Sequence, residues 1–188
     1  MTKGEQTKNK IIEAAGDLFW KNGYANTGIS DILKAVGIPK GSFYFHFEKK
    51  ADVAKAVIQY YKHQTIDILR GVAEVADDWN AFCDSFVTAF EQSHQDKSCF
   101  GCPLAVLGME LAFQDQQLAE EYSKAMDSLK DVFMAALAKE KITGAQRLKL
   151  AELSIAIYEG NLLLHRISKD QYWISKMNEQ LKCIICSR

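Results

Sequence analysis

The chain has 188 residues, 48% hydrophobic and 25% charged, enough apolar material for a sizeable core beneath an ordinary charged surface. A net charge of −1 excludes a generally sticky polycation, yet residues 1–50 hold eight lysines and five carboxylates, while the remainder holds 15 basic and 19 acidic residues. The opening MTKGEQTKNK has no long apolar run, so neither a signal peptide nor a membrane anchor is expected, and a cytoplasmic location follows.

Only two prolines occur and strand-like alternation is scarce, so an all-α fold is expected. The first helix is predicted over 7–22, with Ile11, Ala14, Ala15, Leu18 and Phe19 on one stripe, and Gly23 stops it. Thr27 is placed to cap a second helix, in which Ile29, Ile32, Leu33 and Val36 bury one side. Gly37 ends that helix, and Pro39 sits where a first-turn residue needs no backbone donor. The next segment, from Lys40 to Phe47, is too short and too polar on one side for a core helix and reads as presented outward. A helix–turn–helix offers its second helix to the major groove in this way.

Further helices are predicted over 48–71, from Asp77-Asp78 onward, over 102–113, 117–139, 146–167 and 169–186, with a polar loop near 93–101. Residues 1–50 are expected to form a DNA-binding module and 51–188 a larger helical body. In the helix over 146–167, Leu148, Ala151, Ile155, Tyr158 and Leu162 make one apolar stripe, and Leu150, Leu153, Ile157 and Leu164 make another. A helix apolar on two sides must bury both, and one side asks for a partner.

The ordered string Lys10-Ile11-Ile12-Glu13-Ala14-Ala15, Leu18-Phe19, Gly23-Tyr24, Thr27-Gly28-Ile29-Ser30-Asp31-Ile32, Val36-Gly37-Ile38, Lys40 to Phe47 and Lys50 closely resembles the DNA-binding domain of the TetR family of bacterial transcriptional regulators. Pro39 departs from it, standing where many members carry a small capping residue. The resemblance covers the first third of the chain. It implies a homodimeric repressor on a palindromic operator, with the last two helices paired across the dimer, and an inducer pocket in the body. It implies no cofactor and no membrane partner.

The residues expected to meet DNA are Thr27, Gly28, Lys40, Gly41, Ser42, Tyr44, Phe45, His46 and Lys50. Thr27 and Gly28 start the second helix and Lys40, Gly41 and Ser42 the third, where unpaired amides attract phosphate. Lys40 also has the reach for a guanine edge, and Phe45 the surface for a thymine methyl. By the resemblance, Tyr44 and His46 contact backbone or bases and Lys50 a phosphate. Phe43 and Phe47 alternate with the outward set and are expected in the core.

In the body, Trp79, Phe82, Phe86, Phe90, Phe100, Met109, Phe113, Tyr122, Met126, Phe133 and Tyr158 offer soft, bulky lining for a small-molecule pocket, and equally the makings of a packed core. Cys99 and Cys102 frame a CxxC at a loop-to-helix junction, where a helix N-terminus favours thiolate. An oxidant- or electrophile-sensing repressor is therefore the alternative, and a thiol oxidoreductase a remote one, because no strand signal flanks the motif. A zinc site spanning Cys99, Cys102, Cys183 and Cys186 would need pairs about 80 residues apart, wider than usual structural spacings. No constellation of catalytic residues stands out, so no enzyme is expected.

Overall fold

The computed structural model describes residues 2–93, 101–113 and 115–186, and it is helical throughout, with no strand among them. The helices are α1 (Lys3–Asn22), α2 (Ile29–Val36), α3 (Lys40–His46), α4 (Lys50–Val75), α5 (Trp79–Ser93), α6 (Pro103–Leu111), α7 (Gln116–Ala136), α8 (Gly144–Ser168) and α9 (Tyr172–Cys183), with a 3-10 turn at Leu137–Lys139. No helix among the described residues is long and apolar enough to cross a membrane.

Contacts divide the chain into two compact units, residues 1–64 with 103–125 and residues 65–102 with 126–188. The first contains more than the expected residues 1–50, because the start of α4, all of α6 and the start of α7 pack with α1–α3.

In the first unit, Ile11, Ala15 and Phe19 of α1, Ile32 of α2, Phe43 of α3 and Val53, Val57 and Ile58 of α4 are fully buried. Burying such a side chain contributes about 1.5–3 kcal/mol, and the short α2 and α3 depend on it because isolated helices of their length are marginal. α1 begins four residues earlier than its apolar stripe suggests. Thr2 accepts from the Glu5 amide and Glu5 accepts from the Thr2 amide, a reciprocal capping box. Against α7, a side chain at Gly108 would come within 2.4 Å of the Tyr122 ring, so α6 lies tightly there.

In the second unit, α8 packs on α9 and α5 on α9. Trp79 is fully buried and its indole N–H donates to the Leu181 carbonyl at 2.6 Å. Thr143 caps α8, its hydroxyl oxygen accepting from Gln146 N–H while Gln146 accepts from the Thr143 amide. α8 keeps the two-sided character read from its sequence. Of the first stripe, Ala151, Tyr158 and Leu162 are buried, Ile155 is half-buried and Leu148 is exposed; of the second, Leu153 and Leu164 are exposed and Leu150 and Ile157 half-buried, with Leu163 and Ile167 exposed beside them.

Candidate nucleic-acid interface

The turn between α2 and α3 forms as its residues demand. Gly37 sits at φ 72°, left-handed, and returns its N–H to the Leu33 carbonyl at 2.9 Å. Pro39 then supplies the N-cap of α3, fixed at φ −71°, without any side-chain hydrogen bond.

Seven residues would not hold a helix alone, and α3 is held by its inward ring. Phe43 is fully buried, Phe47 is 6% exposed, and the two rings lie 5.9 Å apart. The Lys8 ammonium lies 5.6 Å from the Phe47 centroid, which joins α1 to the exit of α3.

The opposite side of α3 faces water. Phe45 is 82% exposed and Tyr44 45%, while Lys40 and Gly41 are exposed and Ser42 and His46 half-buried. Lys40 holds its ammonium 5.7 Å from the Tyr44 ring, one turn along the helix. A Cβ at Gly41 would meet nothing within 4 Å. An 82% exposed phenylalanine contributes little to this chain's own core, and Phe45 stands beside the exposed Tyr44 on the same outward side.

The entry to α2 differs from its sequence reading. Thr27 does not cap it; Gly28 does, without a side-chain acceptor, and Asp31 reaches back to accept from the Gly28 amide at 2.7 Å. Thr27 is 1% exposed, and its hydroxyl turns inward to donate to the Gly23 carbonyl at 2.9 Å and the Leu18 carbonyl at 3.3 Å. Both α2 and α3 therefore begin with first-turn amides that no side chain caps.

Lys50 is likewise turned to internal work. Its ammonium donates to the carbonyls of Tyr24 at 2.8 Å and Thr27 at 3.0 Å. The geometry makes it a brace for the α1–α2 linker, where a phosphate contact was expected. The signal for this was Tyr24, an aromatic platform for a cation, which sequence reading used only as a match to a pattern.

The expected pocket residues separate into different roles. Trp79, Phe82, Phe86, Phe133 and Tyr158 pack ring on ring in the second unit, with Phe82 and Phe86 stacked at 5.9 Å and Phe86 5.5 Å from Tyr158. Phe90 and Met126 are half-buried there. Met109 and Phe113, in the first unit, are 58% and 96% exposed, and Tyr122 lies half-buried against Gly108. An open groove of about 250 Å³ between α1 and α4, lined by Ile12, Glu13, Ala56, Gln59, Tyr60 and His63 among others, shares no residue with that expected pocket.

Cys99 and Phe100 lie outside the described residues. Cys102 is 3% exposed and its thiol donates to the carboxylate of Glu159. Burial raises the Glu159 carboxyl and the thiol's hydrogen bond draws it partly back, leaving it at about 7. Burial withdraws the Cys102 thiol from water, whereas reactive thiolates sit in partly exposed, electropositive surroundings. Cys83 is buried too, and its thiol is pushed up to about 12 by that burial.

Residues 11–57 match the family described as bacterial regulatory proteins, tetR family, and residues 75–180 match the C-terminal domain of LmrA/YxaF-like transcriptional regulators. An uncharacterized HTH-type transcriptional regulator in the lacX 3′ region of Lactococcus lactis subsp. lactis is 31% identical over 171 residues, 87% of this chain and 85% of that one. The HTH-type transcriptional regulator LmrA of Bacillus subtilis is 24% identical, with 87% and 88% covered. Among solved structures, a TetR transcriptional regulator from Legionella pneumophila superposes with a TM-score of 0.86 at 20% identity over 97% of each chain, a likeness of fold.

Proposed function

The chain belongs to the TetR family of bacterial regulatory proteins and is a DNA-binding transcriptional regulator rather than an enzyme; from that premise we propose that it is a cytoplasmic homodimeric repressor that docks on a palindromic operator and releases it when a small molecule binds its larger unit. The observation that carries this reading is the exposed side of α3. Lys40, Gly41, Tyr44 and Phe45 face water from a helix whose other side is locked by Phe43 and Phe47.

In the groove, Lys40 supplies charge to a phosphate or a guanine edge, Gly41 allows close backbone approach, and Phe45 offers its ring to thymine methyls. Tyr44 and His46 flank that contact, and Ser42 adds a hydroxyl at the start of the helix. The first-turn amides of Ile29 and Ser30, which no side chain caps, give α2 a seat for one phosphate on the groove rim.

Dimerisation is supported by α8. Leu153, Leu164 and Ile167 are exposed along one side, and Gly160 between them has open space where a side chain would stand. A second α8 laid on that stripe removes it from water, and a two-fold pair presents two α3 helices to half-sites about 34 Å apart or a multiple of that. The inducer reading follows the family, with the aromatic cluster around Phe86 and Tyr158 as its apolar host. It is preferred to thiol sensing because Cys102 is buried against a carboxylate.

The test is selection of duplexes from a random-sequence pool by the full-length protein, followed by anisotropy titration against the selected duplex. Enrichment of an inverted repeat bound by a dimer is expected. Enrichment of nothing, or of a single asymmetric site bound by one chain, contradicts the proposal.

A further inference from the structure

The linker between α1 and α2 is gripped from two sides within the first unit. Lys50 of α4 holds the carbonyls of Tyr24 and Thr27. From α6, Glu110 accepts the Ala25 N–H at 2.8 Å, a bond between residues 85 positions apart. Gly23 makes room for it: a Cβ there would come within 2.5 Å of Glu110 Oε1, and its φ of 88° suits glycine alone. Leu107 and Leu111, on either side of Glu110, are buried and fix α6 in place.

We propose that Glu110 is a positioning residue for operator binding: through the Ala25 amide it fixes the linker that delivers Gly28 and the uncapped start of α2 to a phosphate. Gly28 follows Ala25 by three residues, and Thr27 between them is anchored by its hydroxyl and its carbonyl. Asn26 adds a local tie to the Asn22 carbonyl, and the Ala25 amide, held by Glu110, joins the linker to α6. The carboxylate itself stays off the DNA.

Electrostatics and positioning predict opposite signs here. A carboxylate beside a phosphate-binding face opposes binding, so its removal on charge grounds alone tightens the complex. Its removal as a positioning group weakens it. The proposal rests on the operator-binding reading above, and the experiment separates the two.

Using the duplex selected by the wild-type protein at fixed salt, Glu110→Ala is expected to weaken binding by roughly tenfold to a hundredfold, the range for losing a hydrogen bond to a charged group. Glu110→Gln keeps an acceptor for Ala25 and loses the charge, so it is expected within about twofold of wild type or tighter. Amide exchange at Ala25 should quicken in the alanine variant and stay slow in the glutamine variant. Glu110→Met, which retains bulk and helix propensity without a good acceptor, replaces the alanine variant if the latter melts below assay temperature. Binding by the alanine or methionine variant at wild-type strength or tighter overturns the proposal, as does a folded glutamine variant as weak as alanine. A wild-type chain that selects no duplex overturns the operator reading instead.

Discussion

Lys50 holds its ammonium 4.1 Å from the centre of the Tyr24 ring while donating to the Tyr24 carbonyl at 2.8 Å. One residue thus grips another by both its face and its backbone. The consequence is a lysine in a DNA-binding module whose charge is engaged before any DNA arrives.

Lys50→Met keeps the aliphatic stem and removes the ammonium. The expected result is a lower melting temperature, equivalent to roughly 3 kcal/mol or more for two part-buried charged hydrogen bonds. Operator affinity falls with it, but the slope of log affinity against log salt does not change. A phosphate contact would instead lower that slope by about 1 per complexed lysine. Salt-dependent anisotropy decides between the two.

Lys40→Ala should lower the salt slope, and Tyr44→Ala and Phe45→Ala should weaken operator binding with little effect on it. Phe45→Ala should also relax sequence preference by about 1–3 kcal/mol at the base pair it meets. None of the three should unfold the protein, since these side chains are exposed. Thermal melts and competition with mutated duplexes check this, and unchanged affinity in all three would remove α3 from the groove.

Leu164→Glu with Ile167→Glu places charge on the exposed stripe of α8. A shift from dimer to monomer in sedimentation or light scattering is expected, with helicity retained. A protein still dimeric after both changes would put the interface elsewhere.

Glu159 gives the stability a pH dependence whose sign is fixed. Its folded-state carboxyl is raised from 4.5 to about 7 by burial, so between those values the native state binds the proton more tightly than the unfolded chain does. Stability is greatest below the unfolded value and falls as pH rises through about 7, by on the order of 2–3 kcal/mol. Glu159→Gln should flatten this, making the variant more stable than wild type at pH 8 and little different at pH 4.5. Melts at the two pH values show it, and identical profiles would count against a buried acid here.

How much of this was legible in advance depended on how local the physics was. The turn at Gly37, the inward Phe43 and Phe47 and the outward Tyr44 and Phe45 follow from neighbours a few residues apart, and the periodicity carries them. The Thr2–Glu5 box was also local and spelled T-x-x-E, yet the lack of apolar residues before Ile11 hid it. Thr27 failed for a related reason: a threonine before a helix suits a cap, but a glycine followed by Asp31 took that place and freed the hydroxyl for Gly23 and Leu18. Glu110 was invisible, because no pattern in α6 announces a partner 85 residues earlier. For Met109 and Phe113 the residue type suggests a pocket, but the fold leaves Met109 on α6 and Phe113 just beyond it facing water.

The α3 helix owes its place to Phe43 and Phe47 and, on the proposed reading, its message to the outward Lys40, Gly41, Tyr44 and Phe45. Those two sets share no position. A lineage can therefore rewrite the address this protein reads while the scaffold beneath stays untouched, and a designer can do the same by exchanging four outward residues.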